Sequence, residues 1–372
     1  MTDDSDGLRG IPAGRTALSS VGEVGAGLAY RGYPIEDLAA NADFEEVAHL
    51  LLRGHLPNRD ELAAYRNTLR RNRGLPEAVR ATLESLPASA HPMDVVRTGM
   101  SILGALEPER EFAAQQGAAD RLIAVLPGII AYWYRYSHEG VRVDPETDDA
   151  TIAEQFLHLL HGRPPEALDA DAMRASLVLY AEHEFNASTF TARVCASTRS
   201  DLASCVTAAI GALRGPLHGG ANEAAMDMLT QWTTPDEAEA GVQAMLERRE
   251  RVMGFGHAVY RHADPRNAII REYSRLLAQA RGDTSLQAIA ERVADVVWRT
   301  KALFPNADFF HATAYRFLGL PRSLATPVFS MARAAGWCAH VMEQRQVDRI
   351  IRPSATYIGP SARAWLPIDE RP

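Results

Sequence analysis

Apolar residues recur at intervals of three and four along almost the whole of this 372-residue chain. One such run contains Phe44, Val47 and Ala48. This period places apolar side chains on one face of an α-helix, whereas the alternation typical of strands is scarce. Glycine and proline, as at Gly54 and Pro57, separate the runs and leave room only for short loops. The pattern predicts an all-α protein.

The same pattern predicts individual elements. Broad apolar stretches indicate buried helices, and stretches with one charged face indicate surface helices. The buried helices are expected over residues 93–106, 172–183 and 204–213, and the surface helices over 236–251 and 265–281. A threonine followed by Pro235 and acidic residues predicts a helix start there. Two short strand candidates, 17–21 and 28–30, predict a small hairpin near the N-terminus.

Composition and charge exclude several classes of protein. Hydrophobic residues make up 47% and charged residues 23% of the chain, which excludes a disordered, a collagen-like and a coiled-coil protein. The net charge is −8 and the basic residues are scattered, so we expect no nucleic-acid partner and no membrane partner. Three cysteines without a CxxC pair, and no signal-peptide pattern, predict a cytoplasmic protein without a disulfide framework.

Arginine supplies almost all of the positive charge, because Lys301 is the only lysine among 39 basic residues. Mechanisms that need a lysine nucleophile, a Schiff base or a phosphate-loop lysine are therefore disfavoured. A guanidinium holds a carboxylate through two parallel hydrogen bonds. A bias toward arginine codons also explains a high total, so only the position of an arginine is informative.

Two histidines lie within glycine-rich turns that precede helical patterns. His218 follows Gly215, and His257 follows Gly254 and Gly256. Small neighbours let a ligand approach the backbone closely, and a nearby helix N-terminus disfavours the imidazolium form. A neutral histidine can donate a hydrogen bond to a forming enolate. The alternative is that both are ordinary loop histidines.

Further polar residues indicate a cavity that holds an anion. His183 lies in a polar cluster at the end of an apolar helix, and zinc is not supported there because the HExxH pattern is absent. Asp308 lies between apolar neighbours, which favours a raised pKa and a general base; a helix N-cap is the alternative. Arg333 and Arg352 lie in apolar sequence, where an unpaired guanidinium is costly. With Arg266 they form a candidate set for holding a dicarboxylate.

Seven segments, in this order, make the chain resemble the citrate synthase family over essentially its whole length. One segment alone is weak, but the ordered set is very specific. The segments are His-Glu-Phe-Asn-Ala-Ser-Thr-Phe-Thr from His183, Gly-Pro-Leu-His-Gly-Gly-Ala-Asn-Glu from Gly215, Gly-Phe-Gly-His-Ala-Val-Tyr-Arg from Gly254, Asp264-Pro265-Arg266, Pro305-Asn306-Ala307-Asp308, Ala-Arg-Ala-Ala-Gly-Trp from Ala332, and Ile-Arg-Pro-Ser-Ala from Ile351.

The resemblance implies an architecture and a reaction type. The architecture is an all-α homodimer whose large domain comprises residues 1–219 and 320–372. A smaller mobile domain comprises residues 220–319, and the active site lies in the cleft between the two. The reaction is an acyltransferase condensation that needs no metal and no cofactor, since the acyl-CoA is a substrate.

The resemblance also implies catalytic roles. Asp308 matches the base that removes the α-proton of the acyl-CoA, and His218 matches the group that stabilises the resulting enolate. His257 matches the residue that polarises and protonates the keto group of oxaloacetate. Asn186 matches the residue that orients the active-site histidines.

Two binding sites follow from the same resemblance. The oxaloacetate-binding positions match His183, Arg266, Arg333 and Arg352. In the family, the arginine that corresponds to Arg352 crosses the dimer into the neighbouring site, so a monomer is expected to be inactive. The CoA-binding positions match Arg251, Val252, Met253, Gly254, Phe255 and Arg261.

Within the family, the chain is most similar to the bacterial 2-methylcitrate synthases, which use propionyl-CoA. This similarity rests on residues 91–99, 132–138, 145–149, 156–162 and 179–183. Ala307, smaller than the leucine or valine expected before the base, is expected to enlarge the acyl pocket. One methylene is worth only about 1 to 3 kcal/mol in an apolar pocket. A citrate synthase that uses acetyl-CoA, or an enzyme that accepts both, is therefore the first alternative, and an inactive helical scaffold is the second.

Overall fold

The computed structural model describes residues 11–22 and 27–371. These residues form sixteen α-helices and one small antiparallel sheet, which confirms the predicted all-α class. The strands are β1 (Ser19–Val21), β2 (Leu28–Tyr30) and β3 (Tyr33–Pro34). The helices are α1 (Ile35–Asn41), α2 (Phe44–Arg53), α3 (Arg59–Arg71), α4 (Glu77–Ser85), α5 (Pro92–Leu106), α6 (Gln115–Glu139), α7 (Ile152–His161), α8 (Ala167–Tyr180), α9 (Ala187–Ser197), α10 (Leu202–Leu213), α11 (Ala221–Leu229), α12 (Pro235–Glu247), α13 (Pro265–Arg281), α14 (Ser285–Lys301), α15 (Ala307–Phe317) and α16 (Ala325–Val347).

The predicted N-terminal hairpin is present, because β1 pairs with β2 in antiparallel register. Residues 23–26 of its connection lie outside the described residues. A third strand, β3, pairs with β2. Tyr30 on β2 is buried, and its hydroxyl donates a hydrogen bond to the carbonyl oxygen of Val178 at 3.1 Å. The sheet is thereby fixed against the C-terminal part of α8.

The predicted helices are present, but two of them end earlier than expected. Helix α8 ends at Tyr180 and not at His183, and the following segment is held by the Glu182 carboxylate, which bonds to Ser19 and His340. Helix α12 ends at Glu247 and not at residue 251. Its start was predicted correctly, since the Thr234 side chain caps the helix and a proline occupies its first turn.

Helix α16 lies at the centre of the large apolar core. It packs against α2, α6, α8, α9 and α10, and its buried face includes Ala334, Trp337 and Cys338. Small side chains along this helix allow neighbouring helices to approach closely. The same helix carries Arg333 into the interior, where the guanidinium is almost completely buried.

Helices α11 to α15, which correspond to the predicted small domain, pack largely on one another. Helix α12 packs on α14 and α13 packs on α15, while α13 also contacts α8 and α11 contacts α16. The division into two domains remains a prediction. None of the described helices combines the length and the apolar character needed to cross a membrane.

Candidate active site

A cavity of about 950 Å³ opens where the ends of several helices meet the middle of α16. The end of α8 and the starts of α9, α13 and α15 contribute to its wall, together with the two histidine loops. Residues from widely separated parts of the chain therefore meet in one place. The predicted site residues that line it are His183, Asn186, His218, His257, Arg266, Asp308 and Arg333.

His218 is held by the start of α9. The backbone N–H of Ser188 donates to its Nε2 at 3.2 Å, and the Ser188 hydroxyl lies 2.8 Å from the same atom. A nitrogen that accepts from an N–H carries no proton, so the neutral ring carries its proton on Nδ1. Burial lowers the pKa of His218 to about 4, with a further contribution from Arg333. His218 is thus a neutral donor through Nδ1.

His257 is held by its own loop. The backbone N–H groups of Val259 and Tyr260 donate to its Nδ1 at 3.1 and 3.3 Å, so the neutral ring carries its proton on Nε2. Burial, followed by Arg266, lowers the pKa of His257 to about 4. The expectation of an adjacent helix start is correct for His218, which precedes α11, but wrong for His257, because α13 begins eight residues later.

His183 completes a group of aromatic rings in the cavity wall. Its Nε2 lies 3.0 Å from the Tyr260 hydroxyl, and its ring centre lies 5.2 Å from that of His257. Burial, and next the charge of Arg266, hold the pKa of His183 well below its usual range. All three cavity histidines are therefore neutral near pH 7.

Asp308 is the second residue of α15, and the helix is capped by Asn306, whose side chain accepts from the Asp308 backbone N–H. The N-cap alternative for Asp308 is therefore wrong. The Tyr180 hydroxyl donates to Asp308 Oδ1 at 2.6 Å. Oδ2 has no hydrogen bond within the described residues and is available to a ligand. Burial raises the pKa of Asp308, which makes the carboxylate a stronger base.

The two cavity arginines differ in their partners. Arg266 forms a doubly hydrogen-bonded ion pair with Asp264, at 2.9 and 2.8 Å. Arg333 donates from Nε to the Tyr180 carbonyl at 2.6 Å and lies over the ring of Phe329. Across residues 11–22 and 27–371, no carboxylate lies within 4.0 Å of Arg333. Arg333 is therefore a buried cation available to an anionic ligand.

Arg352 lies elsewhere, on an extended and exposed C-terminal segment comprising residues 348–371. The backbone N–H of Ile351 donates to the Ser197 hydroxyl, which anchors the start of this segment at the end of α9. The expectation that Arg352 is enclosed by apolar neighbours is wrong within a single chain, because its side chain is solvent-exposed.

The predicted CoA-binding residues lie next to the cavity and do not line it. Gly254 accepts from the Asn306 backbone N–H at 2.9 Å, which joins this loop to the start of α15. Its φ is +84°, and an added Cβ would lie 2.8 Å from the Cβ of Phe309, so only glycine fits there. Of the other predicted residues, Val252 is buried, Met253 and Phe255 are partly exposed, and Arg251 and Arg261 are exposed.

Sequence reasoning missed three residues that hold the site together. Ser188 contacts His218, Tyr180 contacts Asp308, and Asp264 pairs with Arg266. Each lies within or next to a sequence segment that contains a predicted site residue. An aspartate before a proline at a helix start was the available signal for Asp264.

Asn186 connects two of the histidines. Its side-chain Oδ1 caps α9 and lies 2.8 Å from the Ser188 hydroxyl, while its Nδ2 donates to the His183 carbonyl at 3.2 Å. Asn186 therefore contacts the His183 backbone directly and reaches His218 through Ser188.

The geometry combines three chemical functions in one cavity. A carboxylate with a free oxygen suits removal of a proton from carbon, and two neutral histidines suit donation to two separate carbonyl oxygens. An unpaired buried arginine suits a carboxylate of the substrate. Within the part of the chain that the structure describes, no group of three or more His, Cys, Asp or Glu residues is arranged to hold a metal ion.

Known proteins with the same sequence pattern and fold were identified. The family model described as citrate synthase, C-terminal domain, matches residues 7–354. The chain is 59% identical over 365 residues to 2-methylcitrate synthase of Shewanella oneidensis, covering 98% of this chain and 97% of that protein. It is 42% identical over 369 residues to citrate synthase 2 of Bacillus subtilis, covering 98% of each.

A solved structure agrees over the full length. Citrate synthase of Thermoplasma acidophilum, in a ternary complex with carboxymethyl coenzyme A and oxaloacetate, superposes with a TM-score of 0.92 at 32% identity, and the alignment covers 100% of both chains.

Proposed function

The chain belongs to the citrate synthase family, and from this premise we propose that it condenses propionyl-CoA with oxaloacetate and water to give 2-methylcitrate and CoA. The observation that carries the proposal is the 59% identity to a 2-methylcitrate synthase over nearly the whole of both chains. Identity to citrate synthase 2 of Bacillus subtilis is lower, at 42% over a similar length.

The first step is removal of the α-proton of propionyl-CoA. We assign Asp308 as the base, because burial raises the pKa of its carboxyl and its Oδ2 is free among the described residues. His218 donates from Nδ1 to the thioester oxygen as negative charge develops there. A neutral donor suits this task, and the low pKa of His218 keeps it neutral.

The second step forms the carbon–carbon bond. The enol carbon attacks the keto carbon of oxaloacetate, and His257 donates its Nε2 proton to the oxygen that becomes the alcohol. Water then cleaves the thioester, which releases CoA and the tricarboxylate. The two substrates and one water molecule supply every atom of the products. Asp308 takes up one proton and His257 gives one up, and exchange with water restores both groups, so the proposed reaction uses no metal and no cofactor.

Binding of oxaloacetate is assigned to His183, Arg266 and Arg333, with Arg352 supplied by a second copy of the chain. Exposed apolar side chains on the C-terminal segment support this assembly: Tyr357 is 77% and Ile358 is 94% exposed in one chain. Apolar groups in an extended segment favour packing on a partner. We propose a homodimer with shared sites.

Binding of CoA is assigned to the loop 251–255 and to Arg261. This loop is hydrogen-bonded to the start of α15, so a CoA held there would lie close to the helix that carries Asp308. The three cysteines are free thiols, which suits the reducing cytoplasm that we propose as the location.

The choice of acyl group is tested by kinetics. We expect kcat/KM for propionyl-CoA to exceed that for acetyl-CoA by about tenfold, which is the range that one methylene in an apolar pocket provides. The small Ala307 lines the cavity beside Asp308 and leaves room for the extra methyl group. Release of CoA thiol is measured with oxaloacetate present and absent. A preference for acetyl-CoA would indicate a citrate synthase. Absence of thiol release from both acyl-CoA substrates would indicate an inactive helical scaffold.

The shared site is tested by mixing two inactive variants, Asp308→Asn and Arg352→Ala. If Arg352 acts across the dimer, each mixed dimer contains one intact site, and co-expression restores about a quarter of the wild-type activity. If Arg352 acts within its own chain, no mixed dimer has an intact site and no activity returns.

A further inference from the structure

Tyr180, the last residue of α8, touches both the proposed base and the unpaired arginine. Its side chain is 1% exposed. Its hydroxyl donates to Asp308 Oδ1 at 2.6 Å, and its backbone carbonyl accepts from Arg333 Nε at 2.6 Å. Tyr180 is not among the catalytic or binding residues of the proposed reaction.

The ring of Tyr180 has little freedom to move. It packs at 4.1 Å between centres on His311 and at 4.4 Å on Phe329, so it is held between α15 and α16. His311 is itself fixed, because its Nδ1 donates to the Ala307 carbonyl at 2.7 Å. This rigid packing therefore holds the hydroxyl in place beside one oxygen of Asp308.

The hydroxyl acts only as a donor. Burial, and next the charge of Asp308, hold the pKa of Tyr180 well above its usual range, so the phenol keeps its proton. A hydrogen bond to a carboxylate favours its ionised form, which opposes the effect of burial on Asp308. Since Oδ1 is occupied, Oδ2 is the oxygen left for the substrate.

We propose that Tyr180 is a positioning residue: its hydroxyl fixes the carboxylate of Asp308 so that Oδ2 accepts the α-proton, and it keeps that carboxylate ionised at neutral pH. This inference rests on the proposed function of Asp308 as the base. A carboxylate that rotates freely would meet the proton less often, and misplacement of a reacting group by about 1 Å costs roughly a hundredfold in rate.

The other charged groups that face Asp308 are Arg266 and Asp264 at the start of α13 and Arg333 on α16. The cavity histidines are neutral near pH 7. Replacement of Tyr180 by phenylalanine leaves all of these charges in place, so any change in the titration of Asp308 reports the lost hydroxyl.

The experiment compares Tyr180→Phe with Tyr315→Phe. Tyr315 is a matched control, because it is equally buried, lies against the same His311 ring, and bonds through its hydroxyl to Ser176 instead of Asp308. We expect Tyr180→Phe to lower kcat by about 10- to 100-fold and to leave the KM for oxaloacetate within about twofold. In a plot of kcat/KM against pH, the acidic limb should move to higher pH by about one unit, because the lost hydrogen bond no longer favours the ionised carboxylate. Tyr315→Phe should behave like the wild type in all three measurements.

Two outcomes overturn the inference: equal kinetics for the two variants, or a fall in kcat with an unmoved pH profile. A second measurement separates this failure from failure of the proposed function. The carboxyl carbon of Asp308, labelled with ¹³C and assigned by its absence in Asp308→Asn, is titrated in each protein without substrate. A higher midpoint in Tyr180→Phe supports the hydrogen bond even if the wild type releases no thiol, and an unchanged midpoint refutes it even if the enzyme is active.

Discussion

The two glycine-rich loops present the same residue to the same cavity in opposite ways. His218 and His257 both have a pKa lowered to about 4, so both are neutral donors near pH 7. Backbone N–H groups occupy Nε2 of His218 and Nδ1 of His257. The first ring therefore donates through Nδ1 and the second through Nε2. The backbone around each histidine decides which ring nitrogen carries the proton.

The loops also differ in what holds the ring. His218 depends on Ser188, which belongs to α9, so its orientation depends on how that helix packs against the loop. His257 depends on Val259 and Tyr260 of its own loop. The first arrangement is tertiary and the second is local, and substitutions should affect the two differently.

The largest expected effect is removal of either ring. We expect His218→Ala and His257→Ala each to lower kcat by about 10²- to 10³-fold, the usual effect of losing one donor to a developing oxyanion. The two variants should differ in a partial reaction, the exchange of the α-hydrogen. Exchange of the α-hydrogen of propionyl-CoA with deuterium, measured by mass spectrometry, should be lost in His218→Ala and retained in His257→Ala.

His158→Ala is the control, because His158 bonds to Asp149 outside the cavity and should retain activity. Equal loss of exchange in the two cavity variants would remove the distinction between an enolate donor and a keto-group donor.

A smaller effect tests which ring nitrogen donates. The amide nitrogen of asparagine lies near the position of Nδ1, and that of glutamine near the position of Nε2. We expect His218→Asn to retain about tenfold more activity than His218→Gln, and the order to reverse at position 257. Steady-state thiol release measures all four variants. The same order at both positions would contradict the opposite tautomers.

The smallest effect concerns the support of His218. Ser188→Ala removes the hydroxyl at 2.8 Å but keeps the backbone N–H at 3.2 Å, so kcat should fall only about three- to tenfold. No side-chain substitution can remove both donors to His257, since both are backbone groups. A loss as large as that of His218→Ala would mean that the hydroxyl alone sets the orientation of the ring.

The fold was largely predictable because helical periodicity and helix capping depend on residues that are close together in the sequence. Pro235 after a threonine predicted the start of α12 from neighbouring residues alone. The end of α8 was not predictable in this way. The segment after it is held by Glu182, whose carboxylate bonds to Ser19 and His340 from distant parts of the chain.

The candidate site was predictable as a set of residues but not as a set of contacts. The motifs named His218, His257, Asp308 and Arg333, and these four residues line one cavity. Contacts between distant residues, such as Ser188 with His218 and Tyr180 with Asp308, depend on tertiary geometry that the spacing in the sequence does not reveal. The setting of Arg352 was misjudged because its sequence neighbours are apolar, whereas the segment itself is exposed.

The ion pair between Asp264 and Arg266 has a consequence for assembly. The positive charge of Arg266 is already balanced by Asp264 before any ligand arrives, so among the described residues Arg333 is the cavity arginine that has no carboxylate within 4.0 Å. For a substrate with two carboxylates, we propose Arg352 of a partner chain as the second cation, beside Arg333. In the proposed dimer, substrate affinity and dimer affinity would be linked equilibria: we expect dilution that separates the dimer to weaken binding of oxaloacetate, and oxaloacetate in turn to hold the dimer together.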